Sequence, residues 1–139
     1  MLLPNSEIPN DEKLFRYCNP LAFPEGQDTI PSSVYNDSSL SCDWAKLRDD
    51  PATSFHVRDE GMTRVISIKV DDEIKNPRNP RNSDKIEPAW KQAVVYFPIR
   101  AIDDPIHGEN IAHSLINGPK RMAVTDALRK HSVWFDVYQ

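Results

Sequence analysis

The sequence predicts an α+β fold: a single domain with a mainly antiparallel sheet, one principal C-terminal helix and long irregular loops. Three observations carry this. Ala93-Val94-Val95-Tyr96-Phe97-Pro98-Ile99 is the most apolar run in the chain, and Pro98 stops it short of ordinary helix length. Its β-branched and aromatic content reads as a strand buried on both faces. Arg64-Val65-Ile66-Ser67-Ile68-Lys69-Val70 puts Ile66, Ile68 and Val70 on one face and Ser67 and Lys69 on the other. That is the period of a half-buried strand, and it makes this run the natural partner of the first. Met122, Ala123, Val124, Ala127, Leu128 and His131 follow helical spacing behind Pro119, which predicts a helix over Pro119–His131 with Arg129, Lys130 and His131 complementing its dipole.

The other elements follow in chain order. Residues 1–13 are polar and carry Pro4 and Pro9 without periodicity, so they read as a flexible arm, with the domain occupying 14–139. Leu14-Phe15-Arg16-Tyr17-Cys18 predicts a first strand ended by Asn19-Pro20. Leu21 to Pro31, with Pro24, Gly26 and Pro31, reads as loop, and Ser32 to Ser41 is dense in turn-forming hydroxyls. Asp43 is placed to cap a short helix, Trp44 to Arg48, that Pro51 ends. Ser54 to Val57 reads as a brief extended segment and Gly61 as a turn. Asp71 to Lys91, with Asn-Pro-Arg at Asn76–Arg78 and again at Asn79–Arg81, reads as a long exposed charged loop (71–92) anchored by Trp90. Ile111 to Ile116 fits a strand or a turn of helix equally well, and Val133 to Tyr138 fits a last strand.

The totals exclude several classes. Twelve prolines against four glycines predict fixed corners and irregular connections. A net charge of −4 argues against a general nucleic-acid binder, which needs a basic face. Met1 to Asn5 lacks the basic and apolar regions of a signal peptide, and no run approaches the ~20 apolar residues of a membrane span. Cys18 and Cys42 make no disulfide framework and read as core thiols in a reduced, cytoplasmic setting.

The chemistry-bearing residues are scattered. His107 and His113, six apart among Asp103, Asp104 and Glu109, lack the spacing of a closed zinc site, so no metal or other cofactor is assigned. His113 interrupts an apolar segment and reads as a core histidine or a functional one. The four glycines stand far apart, so no phosphate-binding loop is present. A serine nucleophile needs a base held against it, and only the fold decides whether His56 or His113 serves. Arg78, Arg81, Lys85 and Trp90 are the candidate partner-binding residues of the 71–92 loop.

In order along the chain stand Leu14-Phe15-Arg16-x-x-x-Pro20, Ile30-x-Ser32-Ser33-x-Tyr35, Leu40-Ser41-x-Asp43 and Asn110-x-Ala112-His113-x-x-Ile116-x-Gly118. This succession resembles a group of small bacterial proteins of unknown function, over about Leu14 to Lys130, with Tyr35 where that group has Phe. The resemblance implies a shared cluster of Arg16, Ser32, Ser33, Ser41, Asp43 and His113, and implies no activity. An Arg on a first strand followed by a Ser-rich segment is also similar in outline to NAD-using ADP-ribosyltransferases, whose third element is a glutamate on a later strand.

Two functions are expected from this reading. One is a bacterial cytosolic protein-interaction or accessory module without catalysis, with a protein partner or a second copy bound through the 71–92 loop. The other is a small-molecule enzyme, NAD-using transferase-like or hydrolase, with a catalytic site among Arg16, Ser32, Ser33, Asp43 and His113. Nucleic-acid contact through Arg78 and Arg81 is a third, weaker, alternative.

Overall fold

A computed structural model describes residues 3–23 and 29–135, with Ser83 and Asp84 described by backbone alone. Its centre is Lys13–Cys18 (β1), flanked by Ser39–Trp44 (β2) and Arg64–Lys69 (β3). Beyond β2 lie His113–Asn117 (β7) and then Ala93–Tyr96 (β6), and beyond β3 lies Ser132–Trp134 (β8). The six-stranded order is β6-β7-β2-β1-β3-β8, and every pairing is antiparallel. Arg78–Asn79 (β4) and Asn82–Ile86 (β5) make a separate hairpin. The helices are Phe55–Arg58 (α1), Asp72–Lys75 (α2) and Met122–Lys130 (α3). The fold is therefore α+β with one principal C-terminal helix, as expected. Among the described residues no helix is long and apolar enough to cross a membrane.

The two faces of the sheet carry two cores. Leu14 and Cys18 of β1, Leu40, Cys42 and Trp44 of β2, Ile66 and Ile68 of β3, Val94 and Tyr96 of β6 and Ile116 of β7 share one face. Val124 and Leu128 of α3 cover that face at helical spacing. Phe15, Tyr17 and Val65 point the opposite way and pack under Val57 of α1. Cys18 and Cys42 are both buried, and no disulfide joins them.

Several expectations are corrected. β6 is not a central strand: Ala93 is exposed and Val95 half-buried, and its partner is β7, not β3. The strand buried on both faces is β3, with Val65 and Ser67 buried alongside Ile66 and Ile68. The segment read as a flexible arm is packed, because Ile8 is fully buried and the backbone of Asn5, Ser6 and Ile8 bonds to Tyr96 and Val94. Asp43 and Trp44 finish β2 and cap no helix. Ser54 to Val57 is not extended: Ser54 caps α1, its hydroxyl accepting from His56 N.

The 71–92 stretch is not a loop. Asp71 caps α2, β4 and β5 pair, and Pro88–Trp90 forms a 3₁₀ turn whose Trp90 packs on the core. Lys75 is buried and reaches Glu7 at 3.1 Å, which ties the N-terminal segment to α2. Ile111 to Ile116 resolves as strand from His113 onward. The loop expectation at Pro24 and Gly26, and the last-strand expectation at Asp136 to Tyr138, lie outside the described residues.

Candidate functional site

The sheet face turned away from α3 carries Tyr17, Ser41, Asp43 and His113. Register brings them together: Phe15 faces Asp43 across β1–β2, and Asp43 faces His113 across β2–β7. Side chains two apart on a strand share a face, so Ser41 joins Asp43 on β2 and Tyr17 joins Phe15 on β1.

Asp43 is the centre of a buried polar network. Tyr17 donates its hydroxyl to Asp43 Oδ2 at 2.8 Å, and Asn110 Nδ2 donates to Oδ1 at 2.9 Å. Arg48 Nε lies 3.0 Å from Oδ2, an ion-pair contact and not an aligned hydrogen bond. Its other nitrogens donate to Thr53 Oγ1 at 3.0 Å and Asn110 Oδ1 at 3.1 Å. A carboxylate this enclosed is tolerated because both oxygens are partnered and a cation stands beside it. Burial, and then the Asp43 charge, push the Tyr17 phenol far above its usual range, so Tyr17 stays a donor.

Ser41 and His113 stand beside this network. His113 Nδ1 is 2.7 Å from the Phe97 carbonyl and Nε2 is 3.2 Å from Ser41 Oγ. A carbonyl only accepts, so Nδ1 carries a proton, and in the neutral imidazole Nε2 presents its lone pair to the serine hydroxyl. Ser41 is half-buried and lines a cavity of about 210 Å³ with Arg16, Tyr17, His56, Glu60 and Met62. Arg16 Nη1 donates to the Ser41 carbonyl at 3.1 Å, while its Nε is closed to solvent and without a hydrogen-bond partner. Here β1 and β2 pair only at Leu14–Trp44 and Phe15–Asp43, so a guanidinium supplies a bond that the ladder no longer provides. His56 pairs with Glu60 at 2.7 Å and stacks on Tyr17 at 5.1 Å. The β6–β7 connection is pinned to this face by Phe55 stacked on His107 at 4.2 Å and by Asn110 on Asp43.

Of the predicted site residues, His113 and Arg16 therefore meet at Ser41, while Asp43 stands two residues along the same strand with its carboxylate held by Tyr17, Asn110 and Arg48. Ser32 and Ser33 do not meet Ser41: they line a different cavity, about 380 Å³, with Asn36, Lys120, Thr125 and Arg129. Burial lowers the Lys120 ammonium to about 8, and it donates to the carbonyls of Ile116, Gly118 and Ser38. Arg78, Arg81 and Lys85 lie on or beside the β4–β5 hairpin, where Lys85 pairs with Glu87 at 3.3 Å. No described strand carries a glutamate in the position that the ADP-ribosyltransferase outline needs.

Tyr17, Arg48 and Asn110 were missed from sequence. The signal for the first was on the page, since Tyr17 alternates with Arg16 in a strand whose neighbours are apolar. Asn110 lies 67 residues from its carboxylate, and nothing local announces that. Compared with known proteins, the chain matches no family model, no curated protein and no solved structure.

Proposed function

We propose that the protein is an enzyme of acyl transfer to water, a small-substrate hydrolase in which Ser41 is the nucleophile and His113 its general base. The observation that carries this reading is the chain Phe97 carbonyl–His113–Ser41, with contacts of 2.7 and 3.2 Å. A serine hydroxyl is a weak nucleophile until a base holds its proton, and the base works only in one tautomer. The Phe97 carbonyl fixes that tautomer here. Ser41 Oγ attacks the carbonyl carbon of a small ester as its proton passes to Nε2. His113 returns the proton to the leaving alcohol. Water then attacks the acyl carbon as its proton passes to the same nitrogen, and His113 returns that proton to Ser41 Oγ as the acyl–oxygen bond breaks and the acid leaves. Arg16 also lines the cavity, with its Nη1 given to the Ser41 carbonyl, so it steadies the backbone that carries the nucleophile. The cavity of about 210 Å³ restricts the acyl part to a small one.

The test is covalent labelling with a fluorophosphonate, followed by peptide mapping. Ser41 is expected to label, Ser41→Ala to lose the label, and His113→Ala to slow it about 10²-fold or more. Labelling no faster at Ser41 than in urea-unfolded protein overturns the reading.

A second reading, the interaction module, is favoured by Ile102 and Ile106, which are 80% and 84% exposed on the β6–β7 connection. Two exposed isoleucines four residues apart on one connection supply the apolar surface that association uses. Replacing both by Ser is expected to abolish any self-association that sedimentation detects in the wild type; a wild type that stays monomeric at high concentration removes this form of the reading.

A further inference from the structure

We propose a divalent transition-metal site, of the zinc type, formed by Asp71, Glu73 and His131 at the junction of β3, α2 and the end of α3. His131 Nε2 is closed to solvent and has no hydrogen-bond partner. It faces two carboxylates, Asp71 Oδ1 at 3.6 Å and Glu73 Oε1 at 3.5 Å. Both are ion-pair distances, longer than the ~3.2 Å that aligned nitrogen-to-oxygen hydrogen bonds rarely pass. They fit ligands around one ion. Bonds of about 2.0–2.2 Å at tetrahedral angles put two ligand atoms about 3.4 Å apart. One ligand atom from each of the three residues lies within 4.8 Å of the others.

Local structure explains the convergence. Asp71 caps α2 and Glu73 stands in its first turn, while His131 ends α3 and accepts Lys69 N through its carbonyl at 2.8 Å. A nitrogen beside two carboxylates selects zinc-like ions over magnesium and calcium, which prefer oxygen alone. Three protein ligands leave the fourth position to water or an external group. Two existing contacts compete. Glu73 N donates to Asp71 Oδ1 at 2.9 Å, and Lys130 Nζ reaches both Glu73 oxygens at 2.9 and 3.0 Å. The first is compatible with metal on another lone pair of the same carboxylate. The second sets a cation against the incoming ion and holds the affinity down.

The experiment uses the untagged full chain, with zinc chloride in calorimetry and thermal melts and with Co²⁺ as spectroscopic probe. Wild type is expected to bind one zinc per chain, to melt about 5–10 °C higher at a hundredfold excess over Kd, and to give the strong visible band of four-coordinate cobalt. Asp71→Asn keeps the α2 cap and is expected to lose binding at least tenfold, as is His131→Ala. His56→Ala and His107→Ala are expected to bind as wild type does. Lys130→Met is expected to bind severalfold tighter, a change that general loss of structure does not produce. Absence of one-to-one binding in the wild type overturns the site, and so does binding kept in Asp71→Asn and His131→Ala.

Discussion

Asp43 and Arg48 meet at 3.0 Å with 1% and 18% of their side chains exposed. The pair joins the end of β2 to the turn that follows it, and through Asn110 it reaches the β6–β7 connection. Removing one member leaves the other charge enclosed and uncompensated. Arg48→Met is therefore expected to lower the unfolding free energy by about 3 kcal/mol, read from the urea midpoint, and Asp43→Leu with Arg48→Met to recover part of it. A loss under about 0.5 kcal/mol in the single variant would show that the pair does not hold this corner.

Ile8 tests the N-terminal segment. Its side chain is fully buried in the core that α3 covers. Ile8→Ala is expected to cost about 2–4 kcal/mol, whereas a residue in a loose arm would cost nothing measurable.

Gly118 follows β7 with φ at +150°, and a Cβ there would stand 2.6 Å from Gln92 Nε2 and 2.7 Å from the Lys91 carbonyl. Gln92 is buried and donates to Trp90 and Pro119 carbonyls, so it has no free direction in which to yield. Gly118→Ala is expected to destabilise by about 2 kcal/mol or more in thermal or urea unfolding. Gly108→Ala meets nothing within 4 Å and is expected to cost about 1 kcal/mol, from backbone conformation alone.

Two buried groups give stability opposite dependences on pH. Burial pushes the Cys42 thiol from 9.0 up to about 12. From pH 9 upward the unfolded chain loses a proton that the native state keeps, so stability falls as pH rises toward 12. Burial lowers Lys120 from 10.5 to about 8. Between those values the unfolded chain holds the extra proton, so stability rises with pH. The two offset each other between pH 9 and 10.5. Urea midpoints under reducing conditions over pH 8–9.5, below the range in which the unfolded tyrosines ionise, should fall with pH in Lys120→Met. They should rise in Cys42→Ala, and the same slope in both variants would contradict the assignment.

The elements were more legible than their neighbours. α3 shows as a helical stripe because Val124 and Leu128 must reach one core, and β1 and β3 show because β-branched and aromatic residues cluster there. Partner choice was not legible. β6 and β3 look alike as apolar runs, yet β6 pairs with β7 and lies four strands away, since pairing depends on chain crossings that no local pattern records. Asp43 looks like a helix cap for the same reason. Its carboxylate is satisfied from Tyr17 and Asn110, and a polar residue in a strand is costly until such distant partners arrive. Arg16 and His113 were singled out, but their meeting at Ser41 depends on a contact 72 residues long for the histidine.

The bonds from Asn5 and Ile8 to Tyr96 and Val94, and from Tyr96 back to Ser6, have one more consequence. β6 ends its side of the six-stranded order, and an uncovered end strand offers its N–H and C=O groups as a template to another molecule. Residues 5–8 occupy that template within the chain. At the other end, β8 has only three residues and offers little to copy. A chain trimmed past Ile8 would present a bare, apolar ladder, and its expected fate is edge-to-edge polymerisation before unfolding.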